Sequence, residues 1–180
     1  MTFSGHDPGG GAGLQADIET LASQDCHATP VITALTVQDT RDIKTFSAIS
    51  ADEVVAQAQA ILADMPVAAF KIGMLGSTAN ARAIHDILQA CPDIPLVLDP
   101  VLASGNGTRL ADPELRDAIT TLLVPLTTVL TPNSLEAHAL VPGADTLEDC
   151  ALALLEQGAE FVLLTGTHID SPHVVNSLYQ

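Results

Sequence analysis

The sequence predicts an α/β protein: a mostly parallel central sheet with helices on both faces, in a single domain over residues 1–180. Short β-branched apolar runs alternate with Ala/Leu-rich stretches of helical length, the pattern of βα units laid on a parallel sheet. No internal repeat, low-complexity tract or Ser/Pro/Gly-rich linker divides the chain. Hydrophobic residues make up 47% and charged residues 16%, enough apolar side chain for one sizeable core and incompatible with disorder.

Thr2-Phe3-Ser4 reads as too short for a buried first strand, although Gly5-His6-Asp7-Pro8 has the composition of the turn that follows one. A helix is predicted over 13–24 and a strand over 31–37, with a weaker strand at 44–49 as a flap or hairpin. The helix at 52–63 is preceded by Ser50-x-x-Glu53, a capping box. Its residues Val54, Val55, Ala58, Ile61 and Leu62 form one apolar stripe suited to covering a sheet. A strand at 68–72, a helix at 78–90 and a strand at 96–99 come next. Asp112-Pro113 supplies an N-cap and a first-turn proline for a helix over 113–123. A strand at 128–131 and helices at 134–140 and 146–156 follow, the last opened by Thr146-x-x-Asp149, and then a strand at 161–164. Residues 174–179 read as a further strand, and the chain stops inside it, so the sequence reads as clipped.

Charge excludes several functions. With 22 acidic and 6 basic residues the formal charge is −16, and the lysines and arginines are scattered. Nucleic acids and anionic membranes need clustered cations, so both are poor partners. A small phosphate ligand stays possible, because backbone N–H groups and a metal ion can neutralise it. No apolar run approaches the roughly 20 residues of a membrane span, and the N-terminus lacks a signal-peptide pattern, which leaves the cytoplasm as the default. Cys26, Cys91 and Cys150 are far apart, which points to buried free thiols rather than a zinc site or a disulfide framework.

The run Gly5-His6-Asp7-Pro8-Gly9-Gly10-Gly11-Ala12-Gly13 stands between strand and helix, where glycines allow close approach of a ligand and helix N–H groups point at it. It is neither a Walker loop nor a dinucleotide fingerprint, and a plain tight turn reads equally well. Gln38 ends an apolar strand, either as surface polarity or as a contact; Met74 alone reads as core filler. Asp99, at a strand's carboxyl end, can hold Mg²⁺. Asn133 and Glu136 lie on one helical turn, able to address the same hydrated ion or simply to cap their helix. His168 and His173 lack zinc spacing, His6 reads as a loop hydrogen-bonder, and Ser104 has no nucleophile elbow. Asn106-Gly107-Thr108 is a glycosylation sequon without meaning in the absence of secretion.

The Gly5–Asp17 string, with Val31 to Thr40, Lys71-Ile72-Gly73-Met74-Leu75, Leu98-Asp99-Pro100-Val101 and Leu130-Thr131-Pro132-Asn133-x-x-Glu136-Ala137, resembles the hydroxymethylpyrimidine and phosphomethylpyrimidine kinases of thiamin synthesis. These belong to the ribokinase-like superfamily, as do pyridoxal kinases. The resemblance implies a three-layer fold, ATP and Mg²⁺ as cofactors, and a homodimer. It implies that Gly5, Asp17, Gln38, Met74 and Val101 hold a pyrimidine: Asp17 and Gln38 by hydrogen bonds, Met74 and Val101 by packing on the ring. Asp99 and Glu136 would attend Mg²⁺, and Asn133 and Thr165 the nucleotide.

The sequence departs from that family at two places where relatives carry a lysine: the segment 103–107, and Thr165-Gly166-Thr167-His168. The family's later Gly-Thr-Gly-Cys or Gly-Thr-Gly-Asp loop, which forms the anion hole and supplies the catalytic residue, does not occur, so no catalytic base is assigned and this chain alone is expected to have little kinase activity. Rival readings are a pyridoxal kinase and a non-catalytic pyrimidine- or nucleotide-binding module.

Overall fold

The computed structural model describes residues 1–105, 107–166 and 173–180. The sequon at Asn106 and the readings of Thr167 and His168 fall outside the described residues.

Eight strands form one sheet in the order β3-β2-β1-β4-β5-β6-β7-β8. The central strands β1 (Thr2–His6), β2 (Pro30–Gln38), β4 (Phe70–Ile72), β5 (Leu96–Leu98), β6 (Val129–Leu130) and β7 (Phe161–Leu164) run parallel. The edge strands β3 (Ile43–Ala48) and β8 (Ser177–Tyr179) are antiparallel to β2 and β7. Helices α1 (Gly13–Ser23), α2 (Ala51–Asp64), α3 (Thr78–Gln89), α4 (Pro113–Ala118), α5 (Ser134–Leu140) and α6 (Leu147–Glu156) flank the sheet. The α/β expectation holds. So do the capping boxes at Ser50/Glu53 and Thr146/Asp149 and the Asp112 cap, whose carboxylate accepts from Leu115 N–H. The weak strand at 44–49 is the second arm of a β2–β3 hairpin.

The first strand corrects the sequence reading. Thr2, Phe3 and Ser4 are buried in β1, which pairs with β2 on one side and β4 on the other. Its brevity is offset by neighbours on both edges, and Phe3 packs on Phe70 with ring centroids 6.1 Å apart. Gly5 and His6 continue the strand, and the turn begins only at Asp7. The helix expected over 113–123 is also not uniform. After α4 the backbone passes into a π turn at Ile119–Leu123 and a 3₁₀ turn at Val124–Leu126. The Thr120 and Thr121 hydroxyls donate back to Arg116 O and Asp117 O, which loosens the local ladder, and Pro125 ends it. Of the cysteines, Cys150 is buried, Cys91 half-buried and Cys26 exposed, so burial of all three does not hold; all are free thiols.

The main core lies between the sheet and its helices, with Phe3, Val31, Ile72, Leu98, Leu130 and Val162 from the strands facing Val54, Ile84, Ile119 and Leu154. A smaller cluster of Ala34, Met74 and Leu110, joined by Ile43, Phe46 and Val101, lies under the hairpin. No described helix is long and apolar enough to cross a membrane.

Candidate active site

Successive strands are added on one side of β1 by β2 and on the other by β4, so the crossover direction reverses at β1. Ligands of open parallel sheets bind beyond the carboxyl ends of the strands at such a switch point. A cleft of about 460 Å³ opens there, walled by residues that follow β1, β2, β4 and β5. Gly5, Gln38, Met74, Val101 and Asp99 all line it. Gly5 allows the close approach of Met74: a Cβ at Gly5 would lie 3.1 Å from Met74 Sδ. The Thr33 hydroxyl donates to Met74 O and holds the backbone there.

Asp17 is placed differently. It is absent from the cleft wall, and its carboxylate pairs with Lys71 Nζ at 3.0 and 3.2 Å. Lys71, at the centre of β4, does line the cleft. Sequence reasoning gave Lys71 no function; the available signal was an ionisable residue inside an otherwise apolar strand, a position that demands a partner.

Four N–H groups of the glycine-rich loop are taken up within the loop itself, that of Gly10 by Asp7 O. Asp7, itself buried, turns its carboxylate inward and accepts from Gly9 N–H at 2.7 Å, Gly11 N–H at 3.0 Å and Ala12 N–H at 2.9 Å. Ala12 offers α1 no side-chain cap, and Asp7 fills that place from the preceding turn. Gly13, at φ +58°, lets the helix start against β1, since a Cβ there would lie 2.3 Å from Gly5 O.

A second cavity of about 330 Å³ adjoins the first through the shared wall of Ala103, Ser104 and Gly105, and Asn133 and Glu136 line it. Asn133 and Glu136 form the capping box of α5: Asn133 Oδ1 accepts from Leu135 and Glu136 N–H at 3.0 Å, and Glu136 Oε2 accepts from Asn133 N–H at 2.9 Å. Burial pushes the Glu136 carboxyl up to about 7; the Asn133 N–H opposes that shift and the nearby Asp99 charge adds to it. Burial likewise raises Asp99, against the pull of Lys71. Thr165 forms an isolated bridge with Asn133 and donates its N–H to Pro132 O; it is on neither cavity wall.

The hairpin turn also reaches the loop at 103–108. Asp42 accepts from Ser104 Oγ at 3.3 Å and from Thr108 Oγ1 at 3.1 Å, a clasp over one side of the cleft with no trace in the sequence pattern.

The family model described as phosphomethylpyrimidine kinase matches residues 7–180. The hydroxymethylpyrimidine/phosphomethylpyrimidine kinase of Mycobacterium tuberculosis (strain H37Rv) is 39% identical over 178 residues, and the Escherichia coli K12 protein of that name 35% identical over 175. The matches cover 95% and 94% of this chain; the chain spans 64% of the mycobacterial relative and 66% of the other. Among solved structures, phosphomethylpyrimidine kinase from Clostridium difficile 630 is 32% identical with a TM-score of 0.89, covering 99% of this chain and 78% of its own. Bacillus subtilis pyridoxal kinase, solved as an ADP complex, is 28% identical with a TM-score of 0.86, covering 99% and 69%.

Proposed function

Because this chain belongs to the phosphomethylpyrimidine kinase family, we propose that the protein uses ATP to phosphorylate the hydroxymethyl group of 4-amino-5-hydroxymethyl-2-methylpyrimidine and then the resulting monophosphate, in thiamin biosynthesis. The observation that carries this reading is the meeting of Gly5, Gln38, Met74, Val101 and Asp99 on one cleft at the switch point, next to the cavity of Glu136 and Asn133. Met74 and Val101 offer apolar contact to a flat ring, and Gln38 offers an amide that can both donate and accept at its polar edge.

Asp99 and Glu136 suit Mg²⁺ as a donor set: both are oxygen ligands, the Asp99 charge raises the cost of ionising Glu136, and Mg²⁺ takes few protein carboxylates beside phosphate oxygens. When bound, the ion supplies neutralising charge to the polyphosphate. The Asn133 amide and the Thr165 hydroxyl serve the nucleotide in this reading. A homodimer in the cytoplasm completes it, and the dimer is checked by light scattering of the eluted protein.

The test is calorimetric titration of the hydroxymethylpyrimidine into this chain, with a coupled ATP-consumption assay on the full-length protein. Saturable binding and turnover of both pyrimidines are expected; absence of turnover in the full-length protein would sink the assignment. A second reading, pyridoxal phosphorylation, is favoured by the likeness to pyridoxal kinases at TM-scores of 0.86. Stronger thermal stabilisation by pyridoxal than by the pyrimidine would select it.

A further inference from the structure

Lys71 is the candidate. Its side chain is 27% exposed and that of Asp17 16%, so the pair is largely withdrawn from water, and of the two only Lys71 lines the cleft. The ammonium lies level with the backbone of Gly73: a Cβ at that glycine would stand 2.8 Å from Lys71 Nζ and 2.7 Å from Ser4 Oγ, and Ser4 too is on the cleft wall. Gly73 thus leaves the space that brings the cation to the cleft surface. An ammonium has three donors and no acceptor, and the two Asp17 oxygens at 3.0 and 3.2 Å engage two of them. That leaves one donor on an ammonium group that lines the cleft together with Ser4 and Met74, where a ligand acceptor can meet it.

We propose that Lys71 contacts the substrate, donating this hydrogen bond to a ring-edge acceptor of the bound heterocycle, and that Asp17 is a positioning residue that acts through Lys71 rather than by touching the ring. The inference rests on the reading of the cleft as a heterocycle site. Asp17 pairs with the ammonium and Asp99 on the same cleft also attracts it, so a neutral ring meets no unpaired cation, while the charged donor strengthens the bond. Gln38, which also lines the cleft, is left to match the exocyclic amino group.

The experiment is calorimetric titration of the aminopyrimidine, and of an analogue with one ring nitrogen replaced by CH, into this chain and its K71M, D17N and K71M/D17N variants. K71M is expected to weaken binding about 10–100-fold and D17N less, with the double variant no weaker than K71M. The analogue should bind the parent chain about 10–100-fold more weakly than the aminopyrimidine, and K71M should not distinguish the two. K71M strands a carboxylate; should it fail to fold, the double variant, which removes both charges together, carries the ligand comparison. An additive loss in the double variant, or discrimination retained without Lys71, overturns the proposal. If the chain binds pyridoxal and not the pyrimidine, the functional reading fails alone, and the same variants are read with pyridoxal, where a K71M loss supports Lys71 and its absence overturns it. Binding of neither ligand overturns both.

Discussion

Where β1 and β4 meet, Lys71 stands 3.0 Å from Asp17, and the buried Asp7 carboxylate has three backbone donors. Beyond β5 and β6, burial raises the pKa of both Asp99 and Glu136, and the Asp99 charge adds to the rise at Glu136; Lys71 attracts Asp99, but among the described residues no cation forms a salt bridge with either carboxylate. The first region pairs each of its ions with a protein partner and leaves the Lys71 ammonium one donor beyond the Asp17 pair. The second carries an electrostatic cost that a bound cation would relieve, and it is the place where ligand binding should change stability most.

The sharpest way to break the first region is Gly13→Ala. It forces a side chain into left-handed backbone and against Gly5 O, and should cost roughly 3–5 kcal/mol in urea denaturation. Asp7→Ala leaves three N–H groups without their acceptor and should cost about 2–4 kcal/mol, with Asp7→Asn recovering part of it. A loss below about 0.5 kcal/mol would show that water replaces the carboxylate and that this region is less self-contained than its geometry indicates.

The second region should respond with the opposite sign. Glu136 titrates near 7 in the fold against 4.5 when unfolded, so the native state holds the proton more tightly. Its contribution is therefore fully present below about pH 4.5 and is lost as pH rises through 7. Glu136→Gln keeps an acceptor for Asn133 N–H but removes the buried charge. It should be more stable than the parent chain by about 1–3 kcal/mol at pH 8, with the advantage vanishing toward pH 5. Thermal melts across that range check it, and a destabilised variant at pH 8 would mean that capping outweighs burial. The smallest effect belongs to the clasp between the regions. Asp42→Ala removes exposed hydrogen bonds and should alter stability by less than about 1 kcal/mol, while amide exchange in the β2–β3 hairpin speeds up.

Most elements were legible in the sequence because helices and strands leave local marks. Ser50/Glu53, Asp112-Pro113 and Thr146/Asp149 cap where their spacing predicts, and the apolar runs at β2, β5 and β7 are strands. The first strand was not legible, since Thr2 and Ser4 become core residues only through two neighbouring strands that lie far along the chain. The site divides in the same manner. Gly5, Gln38, Met74, Val101 and Asp99 sit at strand ends, and a parallel sheet brings strand ends together.

By itself, then, the sequence determined the βα alternation, the helix caps, the scarcity of cations and the family motifs, since each depends on residues close together in the chain. Only the tertiary structure decided that Asp17 pairs with Lys71, that the Asp7 carboxylate takes three of the loop's N–H groups, and that Glu136 is driven to about 7. The physical reason is that burial and Coulomb energy depend on distance through space, and Lys71 lies 54 residues from the carboxylate it holds.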